Sequence, residues 1–276
     1  NLGRVPFDDR MGKRRAEPSP LPSRPPFALR ARLLSPLTPG SFLDEPDGLL
    51  VVDASGHIAW AGRAQERPGG IPEDAIDARP LLLLPGLVDL HGHLPQVPIS
   101  GVGFGIRILD WLTELMEPVE RAFDTEASGR LSPLYFRLFA SAGTTTACLY
   151  TSVDAGATHA AFEAAEQHGI RVIMGQPLMD LGRYDSDIPD HEVTDVRLRE
   201  AAETCERWHG RDGGRLLYAF TPRGALKNSA KLMAESARLA RESGAYWQTH
   251  LAEDRDEVAA VARVHSDAAD NLEIYD

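Results

Sequence analysis

From Leu87 onward the chain alternates between short apolar, β-branched runs and longer amphipathic stretches, and this alternation restricts the fold more than any other feature. Thr144–Tyr150, Arg171–Gly175, 215–220 and 245–249 read as strands, being apolar runs too short for helices. Between and after them, Ala155–His168, 193–209, 230–242 and Arg255–Val264 carry the helical pattern, with Gly169 and Gly244 as stops. Earlier, 108–115 reads as a short helix ended by Pro118, and 131–142 as a second helix stopped by Gly143. Strand and helix in turn, joined by short connections, make a parallel sheet covered by helices. Five strands counted from Leu87 satisfy an open doubly wound sheet; a (β/α)8 barrel would stop three units short. The barrel is nevertheless favoured, because His91, His93, Gln176, Asp180, Arg223 and His250 gather just past strand ends. That rim is where barrel enzymes keep their chemistry. The chain closes at NLEIYD with no capping element in the pattern.

Upstream, residues 27–80 read as a small β-sandwich portion. Its clearest signal is a hairpin, with 49–53 and 57–61 flanking a turn at Ala54–Gly56. Residues 63–77 read as a Gly/Pro-rich connection. Residues 1–26, rich in Arg and Pro, read as a disordered leader. The expected division is therefore 1–26, 27–80 and 81–276, the last being the N-terminal part of the barrel.

A formal net charge of -12 leaves no basic excess to neutralise phosphates, which sets aside nucleic acid and anionic membranes as partners. Small neutral substrates stay open. No window is long enough to span a bilayer, since the aliphatic run Leu81–Leu84 breaks at Pro85. Cys148 and Cys205 stand far apart, which argues against a disulfide framework and a zinc ribbon. Their spacing is compatible with a reducing, cytoplasmic location.

The stretch LLPGLVDLHGHLPQ holds the first chemical signal. In an extended segment His91 and His93 face the same side, with Gly92 leaving room between them. Two converging imidazoles suit Zn²⁺ or a similar borderline metal. QTHLAE supplies a third histidine, His250, at another strand end, with Glu253 three residues on. A bound metal lowers the pKa of water, and a neighbouring carboxylate takes the proton and returns it to the substrate. Arg223, in FTPRG, can grip a ring acceptor with paired donors, and Gln96 offers both a donor and acceptors. Opposed, these two read the edge of a planar heterocycle, with Trp111 and Phe104 as candidate walls. Cys148 and the other histidines receive no chemistry.

These residues carry a resemblance. PGLVDLHGHLPQ, DWL with the following P.E.AF, GTTTAC, GQPLMD, TPR and THLAE.RDEV are similar to guanine deaminases of the metal-dependent amidohydrolase superfamily. The likeness runs in order from Phe27 to the end. It implies one Zn²⁺ ion on His91, His93 and His250, with Glu253 as proton shuttle and Gln96 and Arg223 on the purine base. It further implies hydrolytic deamination of guanine to xanthine and ammonia by metal-activated water, and a homodimer. Gly224 departs from the pattern, the family usually placing Phe after the TPR arginine, and a ring contact on the substrate is then missing. The family also draws a histidine from the sixth strand and an aspartate ligand from the eighth, so the expectation is the N-terminal part of a longer protein or a truncated product. Such a chain alone is expected to hold zinc weakly and turn over little guanine. Two other readings stay open: an amidohydrolase acting on another nucleobase or heterocyclic ring, and an inactive remnant serving as a partner subunit.

Overall fold

The computed structural model describes residues 21–183 and 187–276, so most of the expected leader lies outside the described residues. The chain divides into two compact units, one ending at Pro85 and the other starting at Gly86.

The first unit is a four-stranded sheet of order β3-β2-β1-β4, from β1 (Phe27–Thr38), β2 (Ser41–Val52), β3 (Ile58–Arg63) and β4 (Ile76–Leu83). β1 pairs antiparallel with β2 and parallel with β4. The β2–β3 turn is held by the Asp53 carboxylate, which accepts from the backbone N–H groups of Ser55 and His57. Gly56 takes a left-handed φ of 86° there, which a side chain would resist. A small core of Ala28, Leu49 and Ala64, with Trp60 and Ile71 against it, lies on one face. Part of the stretch expected to be a connection is strand, because β4 begins at Ile76 and carries Leu81–Leu83 into this sheet.

The second unit is a mixed α/β fold around a parallel sheet of order β10-β9-β7-β6-β5, consistent with a partial (β/α)8 barrel. Its strands are β5 (Leu87–His93), β6 (Thr144–Tyr150), β7 (Arg171–Gly175), β9 (Leu216–Pro222) and β10 (Tyr246–Trp247), and the short β8 (Pro177–Leu178) pairs with β9. Every pairing between these strands is parallel. The main helices are α3 (Thr125–Ser141), α4 (Ala155–His168), α5 (Val193–Trp208), α7 (Ala230–Ser243) and α8 (Arg255–Val264), with shorter turns α1 (Ile108–Trp111), α2 (Glu117–Arg121) and α6 (Arg211–Gly214). Local chemistry sets their ends. The side chains of Asp154 and Ser229 cap α4 and α7, and Gly169 and Gly244 close them at φ 68° and 71°. On α4, Ala157, Ala161 and Ala165 form a fully buried stripe one turn apart, letting the helix lie close on the sheet. Phe162, Trp208 and Tyr218 fill the core, with Phe162 and Trp208 stacked at 5.2 Å.

Two helices differ from expectation. α3 begins at Thr125, capped by the Asp124 carboxylate on the Ala127 N–H, and Pro133 sits in its interior rather than its first turn. The helix around Trp111 does not end at Pro118. A π-helical turn, Leu112–Met116, leads directly into α2, where Pro118 stands in the opening turn. Met116 and Glu117 keep helical dihedrals across the junction, and the Glu117 N–H bonds back five residues to the Leu112 oxygen, so the π turn carries the path past the proline without a break. The helical path therefore continues to Arg121, with Glu120 buried on it.

Candidate metal centre

His91 and His93 close β5, and His250 follows β10 at the same end of the parallel sheet. Each offers a ring nitrogen, and these atoms all lie within 4.8 Å of one another. Tyr150, at the end of β6 and paired in register with His93, lays its ring parallel to the His93 imidazole at 4.7 Å.

The hydrogen bonds around the rings fix which nitrogen faces inward. His93 Nδ1 lies 3.3 Å from Glu120 Oε1, and His250 Nδ1 lies 2.6 Å from the backbone oxygen of Arg223. Both partners only accept, so each Nδ1 carries the proton and each Nε2 keeps a bare lone pair. Those two Nε2 atoms face each other at 2.9 Å. Two lone pairs in such contact repel unless a cation lies between or beside them. A neutral imidazole whose far nitrogen donates to a carboxylate or carbonyl is the usual form of a metal-bound histidine. The donor set, three nitrogens with room for further ligands, fits Zn²⁺ among other borderline metals. Burial pushes the pKa of His93 down and that of His250 down to about 3, with neighbouring His93 and the Arg223 charge adding to the effect at His250. Both rings therefore stay neutral, the form a metal requires.

The three histidines line a cavity of about 390 Å³ together with Gln96, Arg223 and Glu253. Gly224 and Trp111 also line it. The chain reaches Glu253 through Ala252, which adopts a left-handed φ of 54°; this turn is what lets two side chains three residues apart share one cavity. Glu253 reaches solvent at the rim, but the surrounding protein crowds its carboxyl enough to raise its pKa, against the lowering by His91 and Arg223. A carboxyl held nearer neutrality can both accept and return a proton.

Arg223 is 6% exposed and grips Glu120, which is fully buried, through both of its terminal nitrogens. Glu120 also accepts from Gln96 Nε2 at 3.0 Å. Burial works to raise the Glu120 pKa, but the Arg223 charge and the His93 and Arg223 hydrogen bonds hold it well below the usual carboxylate range. The sequence reading passed over this residue. Its signal was present in P.E.AF, but ending the helix at Pro118 removed the segment that carries it.

Other rim residues serve the scaffold. Asp180 accepts from the Ser229 backbone and hydroxyl and from Thr194, tying α7 and α5 together. The Gln176 amide reaches Glu200. Phe104 is fully exposed and is not among the residues lining this cavity, so of the two expected walls only Trp111 stands there. No described helix is long and apolar enough to cross a membrane.

Residues 82–273 match the amidohydrolase family. Guanine deaminase of Escherichia coli strain K12 is 35% identical over 83% of this chain and 52% of its own length. The solved E. coli guanine deaminase superposes with a TM-score of 0.80 at 32% identity, over 90% of this chain and 59% of that one. Guanine deaminase of C. acetobutylicum, solved with guanine in its active site, gives a TM-score of 0.79 at 25% identity, covering 90% of this chain and 58% of that one. The chain thus spans about half the length of the curated relatives it matches.

Proposed function

For a chain that belongs to the amidohydrolase family, we propose that the whole protein deaminates guanine to xanthine and ammonia by hydrolysis. One observation carries the reading above the others: the Nε2 atoms of His93 and His250 meet at 2.9 Å beside a third histidine, on the wall of a cavity that also holds Glu253. A zinc ion on His91, His93 and His250 would supply a water nucleophile active near neutral pH.

The chain's own side chains then have separable tasks. Gln96 and Arg223 grip the hydrogen-bonding edge of the base and present its C2 to the water. Glu253 takes a proton as the C2–O bond forms, gives a proton to the ring nitrogen that gains electron density, and assists the amine as the C2–N bond breaks. The sum is guanine plus water giving xanthine plus ammonia. The relatives named above, all guanine deaminases, support guanine over other rings.

One feature favours a second reading, a deaminase acting on a different heterocycle. A Cβ placed on Gly224 would meet only His250 within 4 Å, at 3.8 Å or beyond. That is ordinary contact on one side only, and the glycine puts no ring where the resemblance puts a phenylalanine, which leaves more room beside His250 for a ring carrying an added substituent.

The test is ammonia and product release from guanine, cytosine, adenosine and a triazine by the zinc-loaded full-length protein, with Glu253→Gln alongside. Xanthine formed fastest, and abolished by E253Q, supports the proposal. A higher rate on another ring moves the assignment to the second reading, and no release from any of them leaves the partner-subunit reading.

A further inference from the structure

We propose that Glu120 is the positioning residue of this site: one carboxylate that fixes both the His93 imidazole and the side chains that grip the base. The inference rests on the roles given above to His93, Gln96 and Arg223, and adds a residue outside that set.

The geometry singles out Glu120. It is fully buried on α2 and is not among the residues lining the cavity, whereas all three of its partners are. Its Oε1 accepts from Gln96 Nε2 at 3.0 Å, from Arg223 Nη2 at 3.2 Å and from His93 Nδ1 at 3.3 Å, while Oε2 accepts from Arg223 Nη1. A carboxylate has about four lone-pair sites and no proton to donate, and here four donors converge on it. A neutral amide cannot replace it. Glutamine would keep one acceptor oxygen and turn an NH₂ group toward donors that already point inward, leaving buried N–H groups opposed.

A carboxylate needed only to neutralise a buried arginine would require Arg223 alone. Glu120 also fixes the tautomer of the proposed ligand His93, aiming its bare Nε2 at the centre, and it sets the planes of the Gln96 amide and the Arg223 fork. Metal site and base site therefore share one hinge group, so disturbing that group disturbs both at once.

The experiment uses the 276-residue chain and its Glu120→Gln and Glu120→Asp variants, with circular dichroism and melting as folding controls. Long-range ¹H–¹⁵N spectra of the ring nitrogens are recorded without metal, and guanine affinity is measured by calorimetry after adding Zn²⁺. The wild-type chain is expected to show His93 protonated at Nδ1. In E120Q both tautomers should appear, and guanine affinity should drop by about tenfold or more, the effect of losing a charged hydrogen-bond partner. E120D keeps the charge but shortens the reach, and should recover part of the affinity. A single unchanged His93 tautomer in folded E120Q, or unchanged guanine affinity there, overturns the proposal. If E120Q does not fold, E120D decides: wild-type tautomer and affinity together would overturn it. If the wild-type chain does not bind guanine, the affinity comparison passes to the full-length protein, where failure to bind counts against the guanine reading alone, because the tautomer measurement still tests Glu120.

Discussion

Arg30 with Asp47 and Arg223 with Glu120 are both guanidinium–carboxylate pairs joined by two hydrogen bonds, one pair in each unit, the first through Nε and Nη2 and the second through Nη1 and Nη2. Side-chain exposure separates them: 26% and 34% for the first pair, 6% and 0% for the second. The exposed pair bridges β1 and β2, where water and salt already serve both charges, and such pairs contribute little. The buried pair has given up its hydration, so each charge depends on the other and on the remaining donors around Glu120. With two hydrogen bonds in each pair, the difference teaches that burial, not the number of contacts, makes an ion pair able to hold a site in shape.

The largest expected effect follows from removing half of the buried pair. Glu120→Ala should lower stability of the second unit by about 3–5 kcal/mol in urea unfolding, because a buried guanidinium is left uncompensated. A loss under about 1 kcal/mol, the size expected of an exposed pair, would erase the contrast. Replacing both partners sharpens it further. Glu120→Leu with Arg223→Met should be more stable than Glu120→Ala, since no buried charge is stranded, yet should no longer bind guanine.

The next effect is in pH. An unfolded His250 takes a proton near pH 6.5, while the folded residue stays neutral down to about 3. Between those values the unfolded state holds more protons, so stability of the metal-free second unit should fall as pH drops through that window. Asp44 and Asp47 of the first unit have pKa values lowered by hydrogen bonds from Arg32 and Arg30. Their contribution is present above the ordinary carboxylate pKa and fades only in stronger acid. Unfolding of the two units followed between pH 7 and 4 should therefore diverge, and His250→Asn should reduce the divergence. Smallest of all, Asp47→Ala should shift melting of the first unit slightly at low salt and not measurably at high salt.

Much of the second unit was legible because its signals are local. Thr144–Tyr150, Ala155–His168 and Arg171–Gly175 are bounded where the residue pattern changes, with Gly169 as an explicit stop. The three histidines were legible for a similar reason, each standing next to a strand end. Glu120 was not, since its partners lie 24, 27 and 103 residues away and its helix continues through a proline. β4 was hidden too, because its parallel pairing with β1 is long-range and leaves no turn between adjacent strands to mark it. The left-handed turn at Ala252 has no glycine to announce it. Features stabilised by distant partners leave little trace in the neighbouring sequence.

The most direct measurement is calorimetric titration of the metal-free chain with Zn²⁺, compared with His93→Ala, His250→Ala and His265→Ala. The account predicts one zinc per wild-type chain, lost in the first two variants and kept in the third. Zinc uptake unchanged in H93A and H250A, or no uptake by folded wild-type chain, would contradict it.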